Sequence, residues 1–395
     1  MNVKYNSEKP KKSKKIKIFN LSNKPIKKHK SLSKINNSEK ENINSINIQN
    51  NSQNEKIKLK KIDLDFIFYK DLTNQAFVDD FSSSSDNTFV AFKSINEIFY
   101  LVFSSLEKSI ISYDIKNSQK ICEIKNAHNN YIINFRHFYD KKNKRDLLMS
   151  VSSFDNNIKI WNINTWDCIL ELKNVNRTGT LYSASFLYDN TEAFIISSNW
   201  NILKRKEPIK IFNLKGEKIS EIKEMHSINF IDCYYEINNI YIIIGTHNNV
   251  ISYDYTNDKI YKVYGKIKGS YYSIIVHFNT QIKITQLIAS NFGGIIEIYN
   301  FHTGDILSEI KLDNFSGFLG ICLWDENNLL VGCCDNSIKL INLKEKKLKM
   351  CFFGHNYFVA TVKKIYIPKI GDCFISQGMT SDTIKLWTVK KNDNL

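Results

Sequence analysis

The sequence predicts an all-β protein assembled from seven copies of one short unit. The stretch FDNNIKIWNI (154–163) returns in similar form as CDNSIKLINL (334–343) and SDTIKLWTV (381–389). Within each copy, apolar residues alternate with polar ones, which is the period of a β-strand. One strand pattern that recurs at long, regular intervals indicates a repeat architecture, in which each unit buries its apolar faces against its neighbours.

Seven related segments carry an aromatic or apolar anchor at their fourth position. The anchors are Tyr113, Trp161, Phe212, Tyr253, Tyr299, Ile341 and Trp387. Successive anchors lie 48, 51, 41, 46, 42 and 46 residues apart, and six of the seven precede Asp or Asn. Three further apolar runs accompany each anchor strand, separated by Asn, Asp and Gly that suit tight turns. Each unit is therefore predicted to hold four strands, and a count of six or eight units stays open if the ends are assigned differently.

These units resemble the WD-repeat family, whose four-stranded blades carry a Gly-His near their start and a Trp-Asp after the third strand. In the second unit, AHNNY (127–131) and Trp161-Asn162 match this pattern. In the last unit, GHNYF (354–358) and Trp387-Thr388 match it. The resemblance implies a seven-bladed WD-repeat β-propeller.

In that family, a His, a Ser, an Asp and the Trp of one blade form a buried, hydrogen-bonded tetrad. The resemblance implies structural tetrad residues at His128, Ser152, Asp155 and Trp161 in the second unit and at His355 and Trp387 in the last. Ser150 is the alternative for the serine. The remaining units have lost most of the tetrad, so we expect them to rely on apolar packing.

The last unit has room for only three strands before the chain ends at Leu395. The segment IDLDFIFYKDL (62–72) precedes the first full unit and has the composition of a strand. We expect it to complete the last blade, because closing the ring removes exposed sheet edges. The expected domains are a tail over 1–61, the propeller over 62–390 and a short C-terminal tail over 391–395.

The basic character of the chain is concentrated in its first 60 residues. They hold 16 Lys and 4 Glu without Asp or Arg, a net charge of +12, which leaves only +3 of the total +15 for the rest. Because this segment is also rich in Asn and Ser, we expect a disordered tail. Its clusters KPKKSKK (9–15) and PIKKHK (25–30) suit a nuclear-import signal, a contact with nucleic acid or anionic lipid, or simple solvation, and these alternatives stay open.

The sequence gives no indication of catalysis or of membrane insertion. It contains no phosphate-binding loop, no zinc-protease motif and no nucleophile elbow, and its histidines show no metal-ligand spacing. No apolar stretch approaches the roughly 20 residues of a membrane span, and no secretory signal is present. We therefore expect a non-enzymatic, intracellular protein, cytoplasmic or nuclear, without a cofactor or metal.

One loop is a candidate for partner binding. The segment SSNWNILKRKEP (197–208) of the third unit is longer than its counterparts. It presents Trp200 together with Lys204, Arg205 and Lys206. Trp and Arg are over-represented among the residues that dominate binding energies at interfaces. The alternative is that Trp200 packs against a neighbouring blade.

A propeller without catalytic residues suits a platform whose loops bind other proteins. We expect a non-catalytic scaffold that mediates protein–protein interactions, as a monomer within a multiprotein complex. The alternative is a binder of anionic surfaces, either nucleic acid or phosphoinositide membrane, through the basic tail and basic loops. Salt separates the two hypotheses, because binding dominated by phosphate contacts weakens steeply as salt rises.

Overall fold

All regular secondary structure in the described part of the chain is β-strand. The computed structural model describes residues 66–73, 88–105, 108–176, 180–200, 207–225, 227–265, 269–312, 317–368, 370–379 and 383–389. The predicted N-terminal tail over 1–61 and the C-terminal segment over 391–395 lie outside the described residues. Short apolar runs bounded by turn residues form these strands, as their period predicts.

The strands follow one another along the chain with short connections. In chain order they are β1 (Phe66–Thr73), β2 (Phe89–Lys93), β3 (Phe99–Ser104), β4 (Ile110–Asp114), β5 (Gln119–Ile124), β6 (Ile132–Asp140), β7 (Arg145–Ser152), β8 (Asn157–Asn162), β9 (Asp167–Leu172), β10 (Thr180–Tyr188), β11 (Ala193–Trp200), β12 (Glu207–Asn213), β13 (Lys218–Met225), β14 (Ile228–Tyr235), β15 (Ile240–Thr246), β16 (Val250–Asp254), β17 (Lys259–Tyr264), β18 (Tyr271–Asn279), β19 (Ile284–Asn291), β20 (Ile295–Asn300), β21 (Ile306–Lys311), β22 (Phe318–Asp325), β23 (Asn328–Cys333), β24 (Ile338–Asn342), β25 (Lys347–Phe352), β26 (Val359–Ile367), β27 (Gly371–Gly378) and β28 (Ile384–Val389).

The strands form seven antiparallel sheets of four strands each, which confirms the predicted seven-bladed β-propeller. Blades 1 to 6 each use four consecutive strands, from β2–β5 in blade 1 to β22–β25 in blade 6. Blade 7 has the order β26-β27-β28-β1. Within each blade the strands are called a to d from first to last, so that β1 is strand d of blade 7.

The ring closes through the two ends of the described chain. β1 pairs with β28 antiparallel, with Phe66 opposite Val389 and Thr73 opposite Ile384. Blade 7 then packs on blade 1 through a shared cluster that includes Leu101 and Leu386. Hydrogen bonds from an N-terminal strand therefore hold the C-terminal blade in place.

The hydrophobic core is divided among the contacts between blades. Seven clusters of buried side chains each join residues of two neighbouring blades, as Val151 of blade 2 and Leu181 of blade 3 illustrate. Because both faces of each sheet are covered, strand β15 is buried along its whole length. Gly245 allows one close approach between blades, since a Cβ there would lie 2.8 Å from the Tyr271 carbonyl oxygen.

The outer strands of blades 1 to 6 share one irregularity. The pairing of strands c and d shifts by one residue just before or at the repeat anchor, for example between Ile160 and Trp161 in blade 2. The outer strands expose apolar side chains such as Ile169 and Ile219. Bulges at sheet edges interrupt the regular ladder and reduce the risk of pairing with another chain.

Removal of residues 1–73 should destabilise the propeller, because it deletes β1 and exposes the ladder edge of β28. We expect the melting temperature to fall by about 5–10 °C, as the loss of roughly 3 kcal/mol would produce in a large domain. Circular dichroism melting measures this shift, and size-exclusion chromatography detects association through the new edge. The matched control lacks only residues 1–61 and keeps β1. An equal melting temperature for the two truncations would show that β1 does not secure the ring.

Candidate interaction surface

The propeller presents two different rims to its surroundings. Because neighbouring strands in a blade are antiparallel, the turns between strands b and c lie at the same end as the connectors from strand d to the next blade. We call this end the upper rim. The turns that join strands a to b and c to d form the lower rim, which includes the charged turn between β6 and β7.

A buried hydrogen-bonded network ties the upper rim of blade 2 to its sheet. His128, in the connector that precedes the blade, has Nε2 2.7 Å from Ser150 Oγ. The Trp161 indole donates its Nε1–H to the same oxygen over 2.8 Å. All three side chains are buried. The network therefore fixes the connector to strands b and c.

The serine of this network is Ser150, so the prediction of Ser152 is wrong. Both serines point to the same face of β7 because side chains alternate along a strand. Ser150 lies opposite Lys159, two residues from Trp161, whereas Ser152 lies opposite Asn157 at the end of the strand. Ser152 Oγ is buried and has no hydrogen-bond partner within the described residues.

Asp155 supports the same connector through a different contact. Its Oδ2 accepts a hydrogen bond from the backbone N–H of Asn129 over 3.1 Å. Its Oδ1 and His128 Nδ1 both lack a hydrogen-bond partner among the described side chains. Asp155 therefore holds the backbone next to His128, and its carboxylate makes no hydrogen bond to the imidazole in the described part of the structure.

Blade 7 repeats the network at equivalent positions. His355 Nε2 lies 2.7 Å from Ser376 Oγ, and the Trp387 indole donates to that oxygen over 2.7 Å. Ser376 was not among the predicted site residues. A usable signal exists in the sequence, because Ser150 and Ser376 each precede the tryptophan of their blade by 11 residues.

Burial determines the charge state of the blade 2 network. Desolvation, with a smaller contribution from the positive charge of Lys159, lowers the pKa of His128 from 6.5 to about 3. The imidazole is therefore neutral near pH 7. Lys159 is in turn paired with Glu171, at an Nζ–Oε1 distance of 3.3 Å.

Trp200 ends strand β11 at the upper rim. The predicted loop is shorter than expected, because Ser197–Trp200 belong to β11 and Glu207 and Pro208 belong to β12. Trp200 is half-buried, and its ring centroid lies 6.1 Å from that of Tyr182 on the neighbouring strand. Lys204, Arg205 and Lys206 lie outside the described residues.

The upper rim of blades 5 to 7 exposes a group of aromatic side chains that the sequence analysis did not single out. Phe292, in the b–c turn of blade 5, is 48% exposed, and its ring meets Tyr272 edge to face. Phe358 and Tyr357, in the connector to blade 7, are 42% and 47% exposed. These four residues, Tyr272, Phe292, Tyr357 and Phe358, are called the rim patch.

Small and apolar residues join the two halves of the rim patch. A Cβ at Gly317 would lie 2.9 Å from the Phe292 carbonyl oxygen and 3.1 Å from Cys334 Sγ. Cys334 packs against a small apolar cluster that contains Met379. The Met379 N–H donates to the Phe358 carbonyl oxygen over 2.7 Å. This packing therefore connects the b–c turn that carries Phe292 to the connector that carries Phe358.

One ion pair lies beside the rim patch in the described part of the chain. Asp335 follows Cys334 in the b–c turn of blade 6 and forms an ion pair with Lys339. Ser337 also donates to the Asp335 carboxylate, and these contacts hold the pKa of Asp335 below its usual range despite the opposing effect of burial. Among the described residues, the exposed aromatic rings thus lie beside a neutralised ion pair.

No cluster of three or more His, Cys, Asp or Glu side chains that could hold a metal ion occurs in the described ranges. Those ranges also contain no helix with the length and hydropathy that crossing a membrane requires.

A scan of the sequence against models of protein families finds no match. A search among curated proteins also finds no match.

Replacing Ser150 with Ala should cost about 2–3 kcal/mol of unfolding free energy, because it leaves the buried Trp161 N–H and His128 Nε2 without their partner. Urea unfolding followed by tryptophan fluorescence measures this cost. Ser152→Ala is the matched control on the same strand face, and we expect it to cost less than about 1 kcal/mol. Equal losses for the two variants would contradict the assignment of Ser150 to the network.

The stability of the protein should fall in acid because of His128. Its folded-state pKa lies below the unfolded value, so only the unfolded state takes up a proton between about pH 6.5 and pH 3. Between pH 7 and pH 5, this linkage removes about 2 kcal/mol. His128→Gln lacks the titrating group, so its stability should fall less than that of the wild type over the same interval. Parallel pH profiles from urea unfolding would refute a neutral, buried His128.

Proposed function

We propose that this chain is a WD-repeat scaffold without catalytic function, which binds protein partners in a multiprotein complex through the upper rim of its propeller. The observation that carries this proposal is the rim patch, where aromatic side chains of blade 5 and of the connector to blade 7 lie exposed on the same rim. A β-propeller is commonly a platform for protein interactions, and contiguous exposed apolar surface is typical of interaction sites.

Two features support the WD-repeat assignment within this proposal. The His–Ser–Trp network recurs in blades 2 and 7 with the same 11-residue spacing from serine to tryptophan. The ring also closes with a strand from the N-terminal side of the chain. The networks anchor the two connectors that precede blades 2 and 7, which suits a binding platform.

The composition of the rim patch favours protein partners over anionic surfaces. Aromatic side chains are frequent among interface residues whose truncation costs about 2 kcal/mol or more. The neighbouring Asp335 and Lys339 neutralise each other. An interface of this kind weakens little as salt rises, in contrast to binding through phosphate contacts.

The test is affinity purification of the tagged full-length chain from its own cells, with nuclease treatment and a salt series. We expect a small set of stoichiometric proteins to persist at high salt. The double variant Phe292→Ala, Phe358→Ala should lose at least one of them, with about a tenfold or greater loss of recovery for a hot-spot pair. Quantitative mass spectrometry measures the recovery.

The matched control replaces two aromatic residues of the lower rim, Phe278 and Tyr366, which are 53% and 61% exposed. Phe278→Ala, Tyr366→Ala should retain every partner that depends on the rim patch. Partners that vanish with nuclease or modest salt would instead support the anionic-surface hypothesis. Retention of all partners by the rim-patch variant would refute the proposed binding surface.

Trp200 and Arg205 remain our second candidate pair for partner binding. The half-buried Trp200 keeps part of its ring accessible beside Tyr182. The variant Trp200→Ala, Arg205→Ala belongs in the same purification series. Full retention of the partners by this variant would remove the pair from the interface.

A further inference from the structure

A groove with a volume of about 810 Å³ runs along the side of the ring between blades 2 and 3. One wall is formed by the end of β9 and the connector that follows it. The other wall is formed by β12, the turn from β12 to β13 and the first half of β13. The groove is separate from the rim patch, which belongs to blades 5 to 7.

The floor of the groove is apolar. Leu170, Pro208 and Phe212 line it, and each is only half-buried. The turn of blade 3 lies against this floor at Gly216, which has a φ of 89° in the left-handed region. A Cβ at Gly216 would lie 3.1 Å from Leu170 Cδ1, so glycine lets the turn approach blade 2. The floor can therefore receive an apolar side chain from a partner.

The walls of the groove carry an excess of positive charge. Four lysines and two glutamates line it, so its net charge is 4 − 2 = +2. The lysines are Lys173, Lys210, Lys215 and Lys218.

Both glutamates already have cationic partners. Glu171 is paired with Lys159 and with Lys173, each at 3.3 Å, and Glu221 is paired with Lys218 at 3.1 Å. Lys215 is exposed and forms no ion pair within the described residues. Lys210 Nζ donates a hydrogen bond to the Val175 carbonyl oxygen, so the positive charge open to an acidic ligand is chiefly that of Lys215.

We propose that this groove binds an acidic segment of a partner protein, which places an apolar side chain on the floor formed by Leu170, Pro208 and Phe212. The inference rests on the proposed scaffold function and adds the chemistry of one class of partner. Charge complementarity selects this occupant over the N-terminal residues 1–60, because their net charge of +12 has the same sign as the groove.

The test begins with a random peptide library displayed on phage and selected on the full-length chain. Subtraction on the charge-reversal variant Lys173→Glu, Lys215→Glu identifies the peptides that need the groove. We expect these peptides to be acidic and to contain at least one Leu, Ile or Phe. Peptides no more acidic than the starting library, or no peptides at all, would overturn the proposal.

Fluorescence anisotropy with the most enriched labelled peptide measures the effect of each variant on the dissociation constant. The dissociation constant should rise at least about tenfold in Lys173→Glu, Lys215→Glu and should also rise with salt. The matched control is Lys311→Glu, Lys344→Glu, which reverses the equivalent lysines of blades 5 and 6. We expect a change below about twofold in this control. Equal weakening in the two variants would show that only the overall charge matters.

The floor is tested with Leu170→Ser, which should raise the dissociation constant at least about threefold because apolar contact is lost. Met350→Ser, at the equivalent register position of blade 6, is its control and should leave the dissociation constant unchanged. Melting temperatures establish that each variant is folded. Equal affinities for Leu170→Ser and the wild type would refute the proposed floor contact.

The groove and the scaffold function can fail independently. If no peptide depends on the groove, but cellular partners are still lost when Phe292 and Phe358 are replaced, the groove proposal is refuted and the scaffold function stays in place. If acidic peptides bind the groove, but no cellular partner depends on the rim patch, only the proposed upper-rim surface is refuted.

Discussion

The structure depends on one constraint, which is that each blade can bury its two apolar faces only between two other blades. The clusters shared by neighbouring blades form a closed series, from the contact of blade 1 with blade 2 to that of blade 7 with blade 1. Burial of a single large apolar side chain contributes about 1.5–3 kcal/mol, so an open ring would expose two faces at substantial cost. The pairing of β1 with β28 is therefore important beyond its own hydrogen bonds, because it completes the blade that closes the series.

Buried polar groups and exposed aromatic groups meet in the same connector before blade 7. The connector over 353–358 carries both His355, which is buried, and Phe358, which is exposed. The hydrogen bond between the His355 side chain and Ser376 fixes the backbone three residues before Phe358. A side chain presented by a fixed backbone loses less conformational freedom when it binds a partner. The buried network of blade 7 thus holds the backbone that presents Phe358, which suits the binding role proposed for the rim patch.

The sequence was sufficient to predict the fold because the fold is periodic. The anchors from Tyr113 to Trp387 recur at intervals that allow one four-stranded blade each, and the seven sheets follow those anchors. The choice between Ser150 and Ser152 could not be made from alternation alone, because both side chains lie on the same strand face. Their positions along the strand decide between them. The sequence reveals the right one only when the spacing from Ser150 to Trp161 is compared with that from Ser376 to Trp387.

The interaction surfaces were harder to predict, since they depend on how different blades meet. Phe292 and Phe358 are 66 residues apart in the sequence, and only the packing of Gly317, Cys334 and Met379 connects the two segments that carry them. An alternating strand pattern says which residues face a neighbouring blade, but it does not say which aromatic turn residues remain exposed. Trp200 illustrates the opposite case, because a residue predicted to project from a loop lies at a strand end beside Tyr182.

The two proposed surfaces differ in the physics of binding. The rim patch presents aromatic rings beside a neutralised ion pair, whereas the groove presents an apolar floor beside unpaired Lys215. Apolar contact is insensitive to salt, and contact with exposed lysines is screened over about 10 Å at 0.1 M ionic strength. Because the rim patch belongs to blades 5 to 7 and the groove to blades 2 and 3, neither surface uses the residues of the other. The two proposed partners would therefore occupy separate blades of the ring, as the proposed scaffold function requires.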